Sequence, residues 1–357
     1  MRFADNRNKI GKYIPAVVFL IFIYGMALWF IFSPKPDYSS SEKRYLQKFP
    51  EVTAEKLLSG DFGSEFETFF ADRFPQRNTW VGLNAYTALA EGNNGASGVY
   101  NCKNGYLINK PVSTENNLDK NIGAVADFAK SIDTPTTVML VPSTGYIVDD
   151  VLPTFHDKYN DDEDISKISS TLSKDKIGFV DLRERFKSEY KNGSQLYYKT
   201  DHHWTTKGAY TGYQELCKAL GITPIDDSTL KKDSYPDFYG TTYSSSGFWL
   251  TPPDNIEIWN NPKNSDRNIS VKITEGANIK TSGSMYFTDH LKEDDKYPVF
   301  IDGNHALTEI TNTNAKNGTI LLIKDSFSHS LAPFLAENYR KVVLVDLRYY
   351  KESVSDL

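Results

Sequence analysis

The chain has 357 residues, enough for one large domain or two unequal ones. Hydrophobic residues make up 39% of it and charged residues 24%, which is ordinary for globular proteins and excludes a wholly disordered, collagen-like or multi-span membrane chain. The formal net charge is −6, so the chain has no global basic field and nucleic acid is not expected as a partner.

An uninterrupted apolar run lies near the start of the chain. Residues 13–32 contain no charged side chain, and a run of this length can cross a bilayer core of about 30 Å. The basic residues before it are Arg2, Arg7, Lys9 and Lys12. The length of the run predicts that residues 1–36 form a single-pass anchor in the cell membrane. The positive-inside rule predicts a cytoplasmic N-terminus and an extracytoplasmic main domain. The alternatives are a cleaved signal peptide and a buried core helix, but no clear small-x-small cleavage site follows the run.

Residues 37–95 are predicted to be mainly helical. Their apolar side chains recur every three to four residues, which is the period of an amphipathic helix. These residues are Leu46, Phe49, Leu57, Leu58, Phe62, Phe66, Phe69 and Phe70. Glycine and asparagine at 92–95 indicate a loop at the end of this segment, and a short hairpin is expected just after it, around Gly98 and Gly105.

From about residue 120 the sequence alternates between helix-like and strand-like segments. Helices are predicted at 121–131, 162–173, 205–220 and 331–338, and strands at 136–141, 177–181, 299–302, 318–323 and 341–347. This alternation predicts an α/β domain over residues 96–357, with a mostly parallel sheet flanked by helices. Residues 226–297 are polar and rich in Tyr, Ser, Asp and Asn, and we expect them to form an insertion beside the site.

The densest polar motif is Asp201-His202-His203-Trp204, which precedes a predicted helix. A carboxylate beside an imidazole can fix its tautomer and stabilise the imidazolium that forms when it takes a proton. Metal ligation by Asp201, His202 and His203, or a structural role, are the alternatives. Adjacent histidine side chains tend to diverge, however, and no second ligand cluster accompanies them. We favour acid–base chemistry and expect neither a metal nor another cofactor.

A second motif, Asp325-Ser326, follows the strand predicted at 318–323 and precedes a helix. A serine in such a turn presents its hydroxyl at the carboxyl edge of a sheet, next to the backbone N–H groups of a helix N-terminus, where an oxyanion would be stabilised. Serine and aspartate also cap helices, so this segment alone favours capping. Together with the Asp–His motif, a Ser-His-Asp set becomes the better interpretation.

The two motifs together resemble the DHHW family, relatives of the alginate O-acetyltransferases AlgJ and AlgX in the SGNH-hydrolase superfamily. Further similar segments lie at residues 42–46, 49–50, 59–62, 66–67, 72–77, 141–143, 198–210 and 324–328. The resemblance implies an SGNH-hydrolase-like fold. The Asp–His pair precedes the serine, which is the order of the circularly permuted acetyltransferase branch.

The resemblance also implies a role for each motif residue. Ser326 would be the nucleophile, His203 the base and Asp201 its orienting carboxylate. The same pair follows from geometry if the stretch is extended, because residues i and i+2 then share a face and His202 points away. In that case His202 is a packing or substrate-contact residue, and Trp204 is a further candidate for substrate binding.

Two more residues are candidates for contacts at the site. Asp302-Gly303-Asn304 is predicted to end a strand and resembles the family's Gly-x-Asn region, in which Asn304 would donate to the oxyanion; an ordinary turn is the alternative. Arg348 follows the last predicted strand and resembles an arginine near the family's pocket; a surface arginine is the alternative.

The function that this resemblance implies is O-acetylation of a bacterial cell-surface or secreted polysaccharide. Ser326 would carry the acetyl group between a donor and a sugar hydroxyl. The family typically works beside a membrane-bound O-acyltransferase that supplies the acetyl groups, so a polysaccharide acceptor, that enzyme and the membrane are the expected partners. An acetylesterase with the same triad and a catalytically idle carbohydrate-binding protein are the alternatives.

Overall fold

The computed structural model describes residues 2–112 and 117–357. The chain divides into two compact units, one ending at Asn84 and the other running from Ala85 to Leu357. The first unit begins with a long helix. Its elements are α1 (Arg2–Phe32), β1 (Tyr38–Ser39), β2 (Arg44–Tyr45), α2 (Ala54–Ser59) and α3 (Asp61–Asp72), and α4 (Arg77–Ala90) crosses into the second unit.

Part of α1 has the length and composition of a membrane-spanning helix. Residues Gly11–Phe32 have a mean hydropathy of 2.4, and none of this stretch is buried in the protein. An exposed apolar helix of this kind is compatible with a single-pass membrane anchor or with a signal sequence.

A buried carboxylate organises the rest of the first unit. Asp72, at the end of α3, accepts hydrogen bonds from Arg44 Nη1 at 3.0 Å and from the Gln47 backbone N–H at 2.8 Å. Gly60, at a φ of 87°, is both the C-cap residue of α2 and the N-cap residue of α3. This left-handed conformation has little cost for glycine, so the chain can turn sharply between the two helices.

The second unit starts with the hairpin predicted around Gly98 and Gly105 and then alternates helices and strands. Its strands are β3 (Gly95–Ala96), β4 (Val99–Asn101), β5 (Leu107–Asn109), β6 (Thr137–Leu140), β7 (Gly178–Asp181), β8 (Lys231–Phe238), β9 (Asp254–Asn260), β10 (Ile269–Glu275), β11 (Asn278–Ser282), β12 (Leu307–Asn312), β13 (Asn317–Ile323) and β14 (Tyr339–Val345). Its helices are α5 (Leu118–Ser131), α6 (Thr144–Ile147), α7 (Asp161–Lys174), α8 (Arg183–Lys191), α9 (Thr206–Leu220), α10 (Thr241–Ser246) and α11 (Ser328–Asn338).

The largest sheet is mixed, which corrects the expectation of a mostly parallel one. Its strand order is β11-β10-β12-β14-β13, and only β13 and β14 run parallel. A two-residue turn joins β10 to β11 and forces them antiparallel, whereas α11 provides the crossover that a parallel pair requires. The other parallel pair, β6 and β7, is likewise connected through helical segments.

The segment at 226–297, expected as an insertion, contributes β10 and β11 to this sheet and also forms the antiparallel pair β8 and β9. The prediction of a strand at 299–302 is wrong. The chain there forms a 3-10 turn over Tyr297–Val299, and Ile301 and Asp302 have φ angles of 51° and 66°, which no strand allows.

Helix α11 is central to the core of the second unit. It packs against α9, β12 and β14, and its Phe334 ring contacts the rings of Tyr210 and Tyr213 on α9, with centroids 5.3 and 5.6 Å apart. Because α11 follows the Asp325-Ser326 turn directly, this packing fixes the position of the serine. Cys102 and Cys217 are both buried and unpaired.

Candidate active site

The structure brings Ser326, His203 and Asp201 into one hydrogen-bonded row. His203 Nε2 lies 2.7 Å from Ser326 Oγ, and His203 Nδ1 lies 2.5 Å from Asp201 Oδ1. Asp201 and His203 are buried, whereas Ser326 is only half-buried in the turn between β13 and α11. An imidazole held between a hydroxyl and a carboxylate can take the hydroxyl proton at Nε2 while the carboxylate stabilises the positive charge.

Asp201 is fixed by the start of α10. Its Oδ2 accepts hydrogen bonds from the Thr241 backbone N–H at 2.7 Å and from Thr241 Oγ1 at 3.0 Å. Burial alone would raise the pKa of the Asp201 carboxyl, but the facing His203 imidazole and these hydrogen bonds lower it overall. The carboxylate therefore stays ionised, as a group that orients an imidazolium must.

The backbone before Asp201 is held by a second buried carboxylate, Asp254 at the start of β9. It accepts from the backbone N–H groups of Lys199 at 3.0 Å and Thr200 at 2.8 Å. Burial raises the pKa of Asp254 above its usual range. Sequence reasoning missed Thr241 and Asp254, because both lie in the segment at 226–297 with no spacing that links them to residues 201–204.

Aromatic rings enclose the base. The Tyr297 ring stacks on the His203 ring at a centroid distance of 4.0 Å, and Tyr297 Oη donates to the Ser326 backbone carbonyl at 3.2 Å. The Phe327 ring lies 5.0 Å from His203. These rings shield the imidazole from water, which strengthens its hydrogen bonds to Asp201 and Ser326.

The geometry at His202 differs from the extended stretch expected from the sequence. The backbone bends, because the His203 N–H turns back to donate to Asp201 Oδ1 at 2.9 Å. The His202 ring therefore stays close to the His203 ring, at 3.8 Å between centroids, and its Nδ1 lies 2.5 Å from Thr241 Oγ1. Burial lowers the pKa of His202.

Trp204, a candidate for substrate binding, is buried against the turn that carries Ser326. Its side chain is only 1% exposed, and Nε1 lies 2.9 Å from both the Phe327 carbonyl and Ser330 Oγ. The indole therefore ties the Asp–His motif to the turn that carries Ser326.

Asn304 and Arg348 contact each other, with Arg348 Nη2 donating to Asn304 Oδ1 at 3.0 Å. Arg348 also pairs with Asp346 at the end of β14, at 2.6 Å. Within residues 2–112 and 117–357, no hydrogen bond joins Asn304 or Arg348 to Ser326 or His203. Asn304 also follows a turn and not the strand that was expected before it.

A buried charge network, which sequence reasoning did not find, lies beside the serine turn. Lys324 Nζ lies 3.1 Å from Asp346 Oδ2 and 2.8 Å from His329 Nε2. A lysine ammonium only donates, so His329 Nε2 accepts and its Nδ1 carries the proton. Burial and the neighbouring Lys324 ammonium lower the pKa of His329 far below its usual value, so this histidine is neutral.

The metal-binding alternative can be assessed from the same distances. The donor atoms of Asp201, His202 and His203 lie within 4.8 Å of one another. The atoms best placed to ligate are already used, because His203 Nδ1 bonds to Asp201 and His203 Nε2 bonds to Ser326. A metal ion bound through either ring nitrogen of His203 would have to break one of these hydrogen bonds.

The fold is similar to that of several solved structures. A DHHW family protein from Eubacterium siraeum is 19% identical, with a TM-score of 0.60, and the match covers 73% of this chain and 86% of that chain. PatB1 from Bacillus cereus, solved with a sulfonyl adduct, is 20% identical, with a TM-score of 0.59 and coverage of 71% and 88%. The O-acetyltransferase domain of AlgJ from Pseudomonas putida is 14% identical, with a TM-score of 0.43 and coverage of 68% and 77%.

No curated protein sequence matches the chain. The sequence model of the DHHW protein family matches residues 112–345, a stretch that holds Asp201, His203 and Ser326 and makes up more than half of the chain. The chain belongs to the DHHW protein family.

Proposed function

We propose that this protein is a membrane-anchored, extracytoplasmic O-acetyltransferase that modifies a cell-surface or secreted polysaccharide. The observation that carries the proposal is the row formed by Ser326 Oγ, the His203 ring and Asp201, with distances of 2.7 and 2.5 Å. Such a row activates a serine for acyl transfer. Membership of the DHHW family and the fold shared with PatB1 add support.

The proposed reaction has two balanced steps. In the first, Ser326 Oγ attacks the acetyl carbonyl of a donor ester while its proton moves to His203 Nε2, and that proton then leaves with the donor alcohol. In the second, His203 takes the proton of a sugar hydroxyl, whose oxygen attacks the acetyl-serine. The serine leaves as its alkoxide, recovers the proton from His203 and is ready for the next donor.

The membrane part of the proposal rests on α1. Helix α1 is continuous to Phe32, and the Phe30 ring near its end packs on the Phe70 ring of α3 at a centroid distance of 4.6 Å. Cleavage after α1 would remove Phe30 from this contact, so the contact favours an uncleaved anchor over a signal peptide. A membrane-bound O-acyltransferase is the proposed source of acetyl groups.

A sulfonyl fluoride tests the nucleophile, since such reagents react with activated serines and a sulfonyl adduct has been captured on PatB1. We expect phenylmethanesulfonyl fluoride to modify wild-type protein at Ser326 and to abolish turnover of an acetyl ester. Ser326→Ala should not be modified at this site, and Ser328→Ala, two residues away, should react as wild type does. Modification of other serines with unchanged turnover would contradict the proposal.

The acceptor is tested separately by adding an oligosaccharide to the ester assay. We expect transfer of the acetyl group to the sugar and a faster release of the donor alcohol. Release of free acetate alone, at a rate that sugars do not change, would identify an acetylesterase instead. Sugar binding without any ester turnover would identify the idle carbohydrate-binding alternative.

A further inference from the structure

A cluster of phenylalanine rings connects the end of α1 to α3. Phe30 of α1 contacts Phe69 and Phe70, at 6.3 and 4.6 Å between centroids. Phe49 contacts Phe66 and Phe69 at 6.0 and 5.4 Å. These rings form one connected set at the end of the apolar helix. We call this set of rings the phenylalanine cluster.

The phenylalanine cluster is only partly covered by the protein. Phe66 and Phe70 are each 40% exposed, Phe49 is 57% exposed, and Leu58 on the preceding helix is 90% exposed. Several large apolar side chains exposed in one short segment mark a surface that meets a partner or a membrane.

The position of Phe30 indicates what covers these rings. Phe30 lies two residues before the end of the apolar stretch Gly11–Phe32, which corresponds to about 3 Å along a helix. If α1 spans a bilayer, rings in contact with Phe30 lie at the boundary between acyl chains and headgroups. Aromatic side chains favour this depth.

The chain that follows α1 has the composition of a membrane interface. Lys35 Nζ lies 4.2 Å from the centre of the Phe30 ring and donates to the backbone carbonyls of Phe30 and Ser33, so a positive charge is held at the end of α1. Tyr38 and Tyr45 pack ring to ring at 5.3 Å and are both exposed. Tyrosines of this kind are enriched where a bilayer meets water.

The charges on α3 show which force would hold it at the membrane. Its acidic side chains include Asp61 and Glu67, which anionic lipids would repel, whereas Glu65 pairs with Lys56 at 2.8 Å. Attraction must therefore come from burial of the aromatic rings, and a zwitterionic bilayer is sufficient.

We infer that α3 lies in the headgroup region of the bilayer that α1 crosses, with the phenylalanine cluster turned toward the acyl chains. The inference rests on the proposed anchor and extends it. One helix crosses the membrane and a second, aromatic helix lies along its outer surface, which fixes the first unit at the bilayer.

The test uses the full chain in nanodiscs of phosphatidylcholine and a fluorescent thiol label at one position at a time. Gly63, Phe66 and Phe70 share a face by their i, i+3, i+7 spacing, and a Cβ at Gly63 meets no atom within 4 Å, so Gly63→Cys reports on this face. Thr68→Cys, on the opposite exposed face of α3, is the matched control. Tyr24→Cys reports on α1 itself.

The native cysteines give little background labelling. Both are buried, and burial raises the pKa of Cys102 to about 12 and that of Cys217 to about 11, so few thiolates are present at neutral pH. The unsubstituted chain, treated with the same label, measures what background remains.

We expect lipids that carry a quencher near the headgroup to quench the Gly63→Cys label at least about threefold more than the Thr68→Cys label. A deep quencher should quench the Tyr24→Cys label. Equal, weak quenching at positions 63 and 68 with strong quenching at position 24 would overturn the inference about α3 but keep the anchor. This result is expected if another protein covers the phenylalanine cluster. Quenching at 63 without quenching at 24 would keep the lipid contact and remove the spanning anchor, and no quenching at either would overturn both.

Discussion

The two adjacent histidines occupy different surroundings. His203 is buried between Asp201 and Ser326, whereas about a third of the His202 side chain is exposed and its ring nitrogen meets Thr241. Only His203 can pass a proton to and from the serine while a carboxylate holds its other nitrogen. The two histidines are placed differently by local hydrogen bonding and not by an extended backbone. The backbone bends at His202 because the His203 N–H donates to the Asp201 carboxylate.

We expect His203→Ala to lower acetyl ester turnover by roughly three to six orders of magnitude, close to the loss in Ser326→Ala. His202→Ala should retain most of the turnover, since its ring only flanks the base. Steady-state kinetics of the three folded variants check this. An inactive His202→Ala beside an active His203→Ala would reverse the assignment.

His329 provides a pH-dependent prediction about stability. Burial and Lys324 lower its pKa in the folded chain, so below about pH 6.5 the unfolded chain binds a proton that the folded chain rejects. The free energy of unfolding therefore falls as the pH drops, by up to about 1.4 kcal/mol per pH unit from this group.

His329→Gln keeps an acceptor for Lys324 and removes the titration. Between pH 7 and pH 5, the melting temperature of the wild type should fall further than that of His329→Gln. Thermal unfolding of both proteins in the same detergent measures the difference. Equal pH dependence would show that His329 is protonated, or accessible to protons, in the folded chain.

The start of α10 is in direct contact with Asp201. A Cβ added at Gly240 would lie 2.1 Å from the Cβ of Asp201 and 2.3 Å from its Oδ2. Such an overlap cannot be relieved without moving Asp201 or α10. The glycine therefore lets α10 approach closely enough for Thr241 to donate to the carboxylate.

Gly240→Ala should lower ester turnover by about 100-fold, because displacing the orienting carboxylate misaligns the base. Gly123→Ala in α5 is the matched control: its new Cβ meets no atom within 4 Å, and turnover should stay at the wild-type level. Kinetics and thermal melts of both variants check the prediction. Wild-type turnover in Gly240→Ala would show that Asp201 tolerates displacement.

The sequence predicted the positions of the strands better than it predicted whether neighbouring strands run parallel or antiparallel. The predicted strands correspond to β6, β7, β13 and β14 within a few residues, and the helix predicted at 205–220 corresponds to α9. Strand direction depends on which strands pair, and residue periodicity does not encode that. The strand β12 was missed because Leu307–Asn312 alternates apolar and polar side chains weakly, and its pairing with β10 and β14 supplies what the local sequence lacks.

The same limit applies to the candidate site. Asp201, His203 and Ser326 were identifiable because they lie in short motifs with a chemical reason for each residue. Tyr297 and Thr241 were not, since they reach the site from distant segments whose local sequence is unremarkable. Trp204 is the opposite case: a motif residue that is buried and bonds to the serine turn, which its position in the motif did not predict.

For the whole molecule, the candidate site and the candidate anchor lie in different units. All three members of the row belong to the unit from Ala85 to Leu357, whereas the apolar stretch of α1 belongs to the other. The proposed chemistry and the proposed membrane location should therefore be separable by truncation.

Removal of residues 1–36 should release the protein from membranes and leave turnover of a small acetyl ester within about twofold of the full chain, since no member of the row is touched. Acetylation of polysaccharide in cells should be lost if the donor enzyme must be close in the membrane. Fractionation, ester kinetics and analysis of the cell-surface polymer measure these outcomes. Full cellular acetylation by the truncated protein would argue against a membrane partner.

The central claim is that Ser326 carries the acetyl group, and peptide mass spectrometry tests it most directly. The full chain is mixed with an acetyl ester donor, without acceptor, and is quenched in acid before digestion. We predict one acetyl group on Ser326 in the wild type, its disappearance when acceptor sugar is added before the quench, and no adduct in Ser326→Ala or His203→Ala. Acetyl transfer at the wild-type rate by Ser326→Ala, or an adduct on another residue that turns over in its place, would contradict the account.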